Sequence, residues 1–281
     1  MNATASPQTA LSSATVDPVS GLHLIELSHP WGHGAPAAPG FAEPQIQRSV
    51  NHAQHGVLSQ RIRTVMHTGT HVNAPRHLVQ GGDGVGSLAL ERLFAVGVVV
   101  SVPKQQWETI SADDLERSDV RRGDAVVLVT GWHRSYGDSQ RYYAHAPGLS
   151  REAAQWLVER EPAFVAIDTP HVDHPLATSL GAHRGGPTAR YLPARYERET
   201  GRSAADDFPD WNPAHRALLA AGIPTLENVG GDVDELLGRR AVFHAVPWRW
   251  PDGDACPVRF VALLDPSGEL RIESGAHDER A

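Results

Sequence analysis

The chain has a single cysteine, Cys256, in 281 residues. One thiol forms no internal disulfide and no thiolate metal cluster, and it suits a reducing cytoplasm, the expected location. Basic residues are too few for a surface built for nucleic acid or an anionic membrane: 25 Lys and Arg against 33 Asp and Glu leave a net charge of −8. No apolar window of about 18 residues occurs, so no membrane span is expected. The start of the chain has neither the basic residues nor the apolar run of a secretory signal. What remains, 41% hydrophobic and 21% charged, is the composition of an ordinary globular protein. Against it stand 16 histidines, more than a core requires, which raise the question of metal chemistry.

Residues 1–20, rich in Ala, Ser, Thr and Pro, are expected to form a poorly ordered tail, and residues 21–281 a single domain. Short apolar runs between Gly and Pro predict strands over 22–27, 60–66, 96–102, 125–130, 164–167, 224–229, 241–246 and 258–264. Helices are fewer. Ser150 caps an apolar-periodic stretch reaching Glu159, with Ala153, Ala154, Leu157 and Val158 as its buried stripe. Asn212, Pro213 and Gly222 bracket a helix as N-cap, first-turn proline and terminating glycine. Short helices are expected at 111–116 and 232–237. The pattern predicts an α/β domain whose mixed, strand-rich sheet is flanked by few helices. Residues 178–211, polar and rich in Arg, Gly and Asp, read as a long excursion from the core.

The densest polar cluster is His67-Thr68-Gly69-Thr70-His71-Val72-Asn73-Ala74-Pro75-Arg76-His77. In an extended chain, alternation puts His67, His71, Asn73 and His77 on one side. A straight strand would hold the Cα atoms of His67 and His71 ~13 Å apart, a stretch for imidazoles that must each come to about 2.0–2.1 Å from one metal. The segment is therefore expected to bend, which Gly69 permits, and Pro75 stops regular continuation. Two threonines, a glycine and a proline disfavour a helical His-x-x-x-His, and Thr68 occupies the place of the zincin glutamate. On spacing alone, a metal site and a chance gathering of histidines both remain open.

The same eleven residues stand where the metal-dependent cyclase/formamidase superfamily has His-x-Gly-Thr-His-x-Asp-x-Pro-x-His. That family includes bacterial kynurenine formamidases and isatin hydrolases, and the chain resembles it well beyond the motif. Leu27-Ser28-His29-Pro30 is similar to its opening strand end, and Ala166-Ile167-Asp168-Thr169-Pro170 to its mid-chain segment. His215, Leu218 and Leu219 leading into Gly222-Ile223-Pro224-Thr225-Leu226-Glu227-Asn228 resemble its helix–strand block. Gly253-Asp254-Ala255-Cys256-Pro257-Val258-Arg259 resembles its C-terminal segment. The resemblance spans roughly residues 22–265. It implies a swivelling β/β/α-like fold, a homodimer or homotetramer, a divalent zinc or manganese ion and a small-molecule substrate.

Carried over residue by residue, the resemblance makes His67, His71 and Asn73 the metal positions and His77 the proton-transfer group. In two-metal members, the counterparts of His215 and Glu227 complete a second site. The sequence supports that pair independently: His215 falls in the first turn of its helix, and Glu227 lies in an apolar strand, where an unpaired carboxylate would be costly. A buried ion pair with an arginine would satisfy Glu227 as well. Asn73 departs from the family's aspartate. It offers one neutral oxygen and bridges two cations poorly, which implies weaker binding and a single metal, or a metal at His67 and His71 helped by His215 or Glu227.

The implied reaction is metal-assisted hydrolysis of an amide, lactam or lactone in a small cyclic or aromatic molecule, with His77 as base and then acid. Two readings compete: a metal-dependent cyclase or dehydratase, and a metal-free binding protein, which Asn73 favours. A serine hydrolase is disfavoured, since no Gly-x-Ser-x-Gly elbow is present. Outside the motif, Trp31 is a candidate aromatic wall and His171 a candidate substrate contact; surface packing and a solvated loop explain them equally. Residues 81–86 lack the Lys-Ser/Thr of a P-loop and read as a loop after the motif, not a phosphate cradle.

Overall fold

In the strand Ala125–Val129 every residue is buried, Ala125, Val127 and Val129 in one apolar cluster, Val126 and Leu128 in another. A strand with water on neither face belongs in the middle of a sheet. It pairs in parallel with Phe94–Ser101 on one side and Phe164–Ile167 on the other. The structure, a computed structural model, describes residues 14–180 and 187–266.

The main sheet has ten strands. Their order is Thr15–Val16, His23–Glu26, Val261–Leu264, Arg240–His244, Phe94–Ser101, Ala125–Val129, Phe164–Ile167, Thr225–Glu227, His71–Asn73 and Ala255–Pro257. The run from Phe94–Ser101 to Thr225–Glu227 is parallel and the flanking pairs are antiparallel, so the sheet is mixed, as expected. A bridge between Ser28 and Val229, with the Gly230 N–H donating to the Leu27 carbonyl at 2.9 Å, joins segments from opposite ends of this order. The sheet therefore curls around one apolar core containing Ile25, Val72, Phe164, Phe243 and Phe260. The outer face of the parallel strands is covered by the helices Arg151–Glu159 and Pro213–Ala220. Ser150 caps the first by accepting from the Ala153 N–H, and Trp156, not Val158, joins Ala153, Ala154 and Leu157 among its buried residues. The Trp156 ring is roofed by the Arg160 guanidinium.

Three expectations need revision. Of the tail expected at 1–20, residues 1–13 lie outside the described residues, but Thr15–Val16 is the edge strand, paired with Leu24 and His23. The strand expected at 60–66 is Ser59–Arg63 and pairs with Gln45–Val50 in a separate exposed ribbon. Within the excursion at 178–211, residues 181–186 lie outside the described residues; the rest includes the helix Pro187–Thr200, which buries Leu192 and Tyr196 against Trp107, Trp132 and Tyr142. An i, i+4 apolar pair interrupted by Pro193 was too sparse a stripe to read as a helix.

Candidate metal centre

Gly69 takes φ +68, a left-handed conformation. A Cβ there would lie 2.8 Å from Trp31 Cδ1, so glycine is needed twice over. The bend turns His67 back over the strand His71–Asn73, which lies between Thr225–Glu227 and Ala255–Pro257. Register sets the partners: His71 stands opposite Glu227, and Asn73 opposite Thr225. A single 3-10 turn, Pro75–His77, brings the His77 ring 4.3 Å from that of His67 and 5.4 Å from that of His215.

His215 arrives on the helix Pro213–Ala220. Asn212 holds the N-cap position but makes no side-chain cap. The Asp173 carboxylate caps instead, accepting from the N–H groups of Ala214 at 2.8 Å and His215 at 2.9 Å. Burial pushes the Asp173 carboxyl up to about 7 against the pull of those N–H groups.

His71 Nδ1 lies 2.8 Å from the Gly69 carbonyl. In the neutral ring, Nδ1–H donates there and the Nε2 lone pair is left facing Glu227 Oε2 at 3.1 Å. The other Glu227 oxygen accepts from the Val172 N–H at 2.9 Å. Two acceptors so placed, both nearly out of water, are satisfied by a proton on His71 Nε2 or by a cation beside them. Burial raises the Glu227 carboxyl, but the contact with His71 and the nearby His215 and His171 outweigh it and hold the group well below its usual range. Burial pulls His215 down to about 3, so it is neutral near pH 7. Its Nε2 is 2.7 Å from Thr225 Oγ1, which accepts its proton in the tautomer that leaves Nδ1 facing Glu227, 3.8 Å away. A second carboxylate joins the cluster: Asp254 Oδ2 is 2.8 Å from His67 Nε2 and 3.5 Å from His77 Nδ1. The His67 hydrogen bond, then that of His77, depress its carboxyl despite partial burial. Donor set and orphaned acceptors fit a divalent cation.

These groups open on a cavity of about 330 Å³ lined by His67, His71, His77, His171, His215 and Glu227, with Phe41 and Trp211 on its walls. The buried Nε2 of His171 has no hydrogen-bond partner. Asn73 is fully buried beside the cavity; its Nδ2 reaches Thr225 Oγ1 at 3.4 Å and its Oδ1 is unpartnered. The structure thus gathers His67, His71, His77, His171, His215 and Glu227, but not Trp31, which lines a separate open recess with His29 and Pro257. Asp254 is the residue that sequence reasoning missed. Asp168 serves the scaffold, accepting from Thr130, Gly131 and His133. The glycines at 84 and 86 allow close packing: a Cβ at either would strike the backbone of Pro251 or Trp250. This clamps the loop that leads to Asp254.

His174 turns away from the cavity. It stacks on Phe208 at 3.9 Å, and its Nδ1 accepts from the Leu176 N–H at 3.2 Å. Burial pulls it down to about 3. An unfolded histidine titrates near 6.5, so below that pH the unfolded chain binds a proton that the folded chain refuses. The stabilisation is complete above pH 6.5 and falls by about 1.4 kcal/mol per pH unit as pH drops toward 3. Urea denaturation of the metal-free protein between pH 7 and 4 is expected to show a slope that includes this contribution beside those of the other buried histidines. His174→Gln is expected to reduce it by about 1.4 kcal/mol per pH unit; an equal slope in the variant would sink the assignment.

Residues 25–174 match the model of the Cyclase family, described as "Putative cyclase". Kynurenine formamidase of Bacillus cereus is 26% identical over 238 residues, covering 84% of this chain and 95% of that protein. Isatin hydrolase of Roseibium aggregatum is 24% identical over 217 residues, covering 70% of this chain and 72% of that protein. Among solved structures, isatin hydrolase A from Ralstonia solanacearum aligns with a TM-score of 0.70 at 20% identity, over 92% of this chain and 100% of that one. It shares the fold.

Proposed function

The chain belongs to the cyclase family, and from that premise we propose that it is a metal-dependent hydrolase of an amide, lactam or lactone bond in a small cyclic or aromatic molecule. The observation that carries this reading is the convergence of His67, His71, His215 and Glu227 on one cavity, with His71 Nε2 3.1 Å from Glu227 Oε2 on its floor. The similarity to a kynurenine formamidase and an isatin hydrolase supports the substrate class. A volume of about 330 Å³ is at the small end for ligand sites and suits a molecule of one or two rings between Phe41 and Trp211.

His67, His71, His215 and Glu227 would hold the ion, with the imidazole-rich set acceptable to zinc or manganese. Such a cation supplies an activated water and polarises the scissile carbonyl. The protein's own groups do the rest. His77, about a quarter exposed at the cavity, takes the proton of the attacking water and returns it to the leaving nitrogen or oxygen. Asp254, against His77 Nδ1, fixes the ring so that Nε2 is the working atom.

Replacing His77 with alanine is expected to lower kcat by ~10²–10⁴-fold on whichever amide or lactone the enzyme accepts, with bound metal unchanged. Steady-state rates and elemental analysis of the same preparation check this. Metal loss in that variant would reassign His77 as a ligand.

A further inference from the structure

We propose that Asp254 is a metal ligand that supplies the anionic oxygen missing at position 73. The inference rests on the hydrolase reading above. Asn73 brings one neutral oxygen to the end of the strand His71–Asn73, with no charge to balance a dication. Two carboxylates approach the motif histidines instead. Glu227 meets His71, and Asp254 meets His67.

The geometry at Asp254 is that of donors to one ion. Two atoms each ~2.1 Å from a cation lie ~3.0–3.4 Å apart at octahedral or tetrahedral angles. Asp254 Oδ2 and His67 Nε2 are 2.8 Å apart, and a ligand atom from each of His67, His77 and Asp254 falls within 4.8 Å of the others, the one such group found among the described residues. An ion entering between His67 and Asp254 therefore needs only a small opening of that contact, and His77 stands beside it, within reach of a water bound there.

The backbone holds Asp254 to this position. Its carbonyl accepts from the Ala74 N–H at 2.9 Å, one residue beyond Asn73. The next residue, Ala255, is paired directly with Asn73, so the carboxylate and the amide sit at the same end of neighbouring strands. The preceding Gly253 packs so closely on Val85 and Trp250 that a Cβ there would come within 2.6 Å of Val85 Cγ2. Charge is supplied as well, since Asp254 brings a full negative charge beside His67, where Asn73 can bring none.

The test uses the full chain stripped with a chelator and titrated with Zn²⁺, and in parallel with Co²⁺ for its visible bands. Asp254→Asn is isosteric, sits on a half-exposed side chain and leaves the Ala74 hydrogen bond in place. It is expected to weaken Zn²⁺ binding by at least ~10²-fold, beyond the usual effect of losing an outer partner. At saturation its Co²⁺ bands should shift, because a neutral amide or a water has replaced an anionic oxygen at the ion. Binding within ~3-fold of the wild type, or unchanged Co²⁺ bands, would overturn the proposal and leave the hydrolase reading standing. A wild type that binds neither cation would overturn both.

Discussion

His71→Ala is expected to leave the protein without its cation and to lower kcat/KM by at least ~10³-fold, since both the activated water and the polarised carbonyl depend on the ion. His71 is 1% exposed, and its ring is fixed at both ends, by the Gly69 carbonyl and the Glu227 carboxylate. The alanine also leaves Glu227 Oε2 in a dry site without its His71 partner, though Oε1 keeps the Val172 N–H, so some stability should go with the metal. Elemental analysis, circular dichroism and hydrolysis rates on a panel of N-formyl aromatic amines, lactams and lactones would be measured together. A folded variant holding a full equivalent of metal would remove His71 from the ligand set.

Gly97→Ala is expected to destabilise the fold by at least ~4 kcal/mol, a large part of the 5–15 kcal/mol that holds a typical domain together. Gly97 pairs with Ala125 in the middle of the sheet. A Cβ on it would stand 1.8 Å from the Ala125 carbonyl oxygen and 2.6 Å from its carbon. Both are backbone atoms, which cannot rotate aside, so Phe94–Ser101 and Ala125–Val129 would have to part and lose ladder hydrogen bonds. Gly123→Ala is the control: φ is +83 there, but nothing lies within 4 Å of the added carbon, and only the ~1 kcal/mol of a left-handed alanine is at stake. Urea midpoints would separate the two. A Gly97→Ala variant within 1 kcal/mol of the wild type would refute the account.

What the sequence made legible was local. His67, His71 and His77 lie within eleven residues, so the bend required at Gly69 and the stop at Pro75 followed from chain geometry before any contact was known. The helix Arg151–Glu159 declared itself through its cap and period. His215 and Glu227 needed the family resemblance, because a carboxylate in an apolar strand has more than one way to be satisfied. Asp254 was hidden altogether. Its segment was recognised, but its contact with His67 depends on Ala255–Pro257 pairing beside His71–Asn73 in one register, and strand pairing across 180 residues leaves no periodic trace. The same limit applies to Trp31, whose ring is spent on covering Gly69.

The curled sheet has a consequence for synthesis on the ribosome. The two carboxylates and four histidines come from 67–77, 215–227 and 254, and the edge strand Ala255–Pro257, which Asp254 immediately precedes, is nearly the last described element to emerge. Until then His67 has no carboxylate beside it, and the bridge from Ser28 to Val229 has already waited for some two hundred residues of chain. Contacts of such separation form late and slowly. On the reading proposed above, the nascent chain would therefore present its histidine motif well before Asp254 stands beside His67, and an ion would be held in the finished geometry only once that strand has paired.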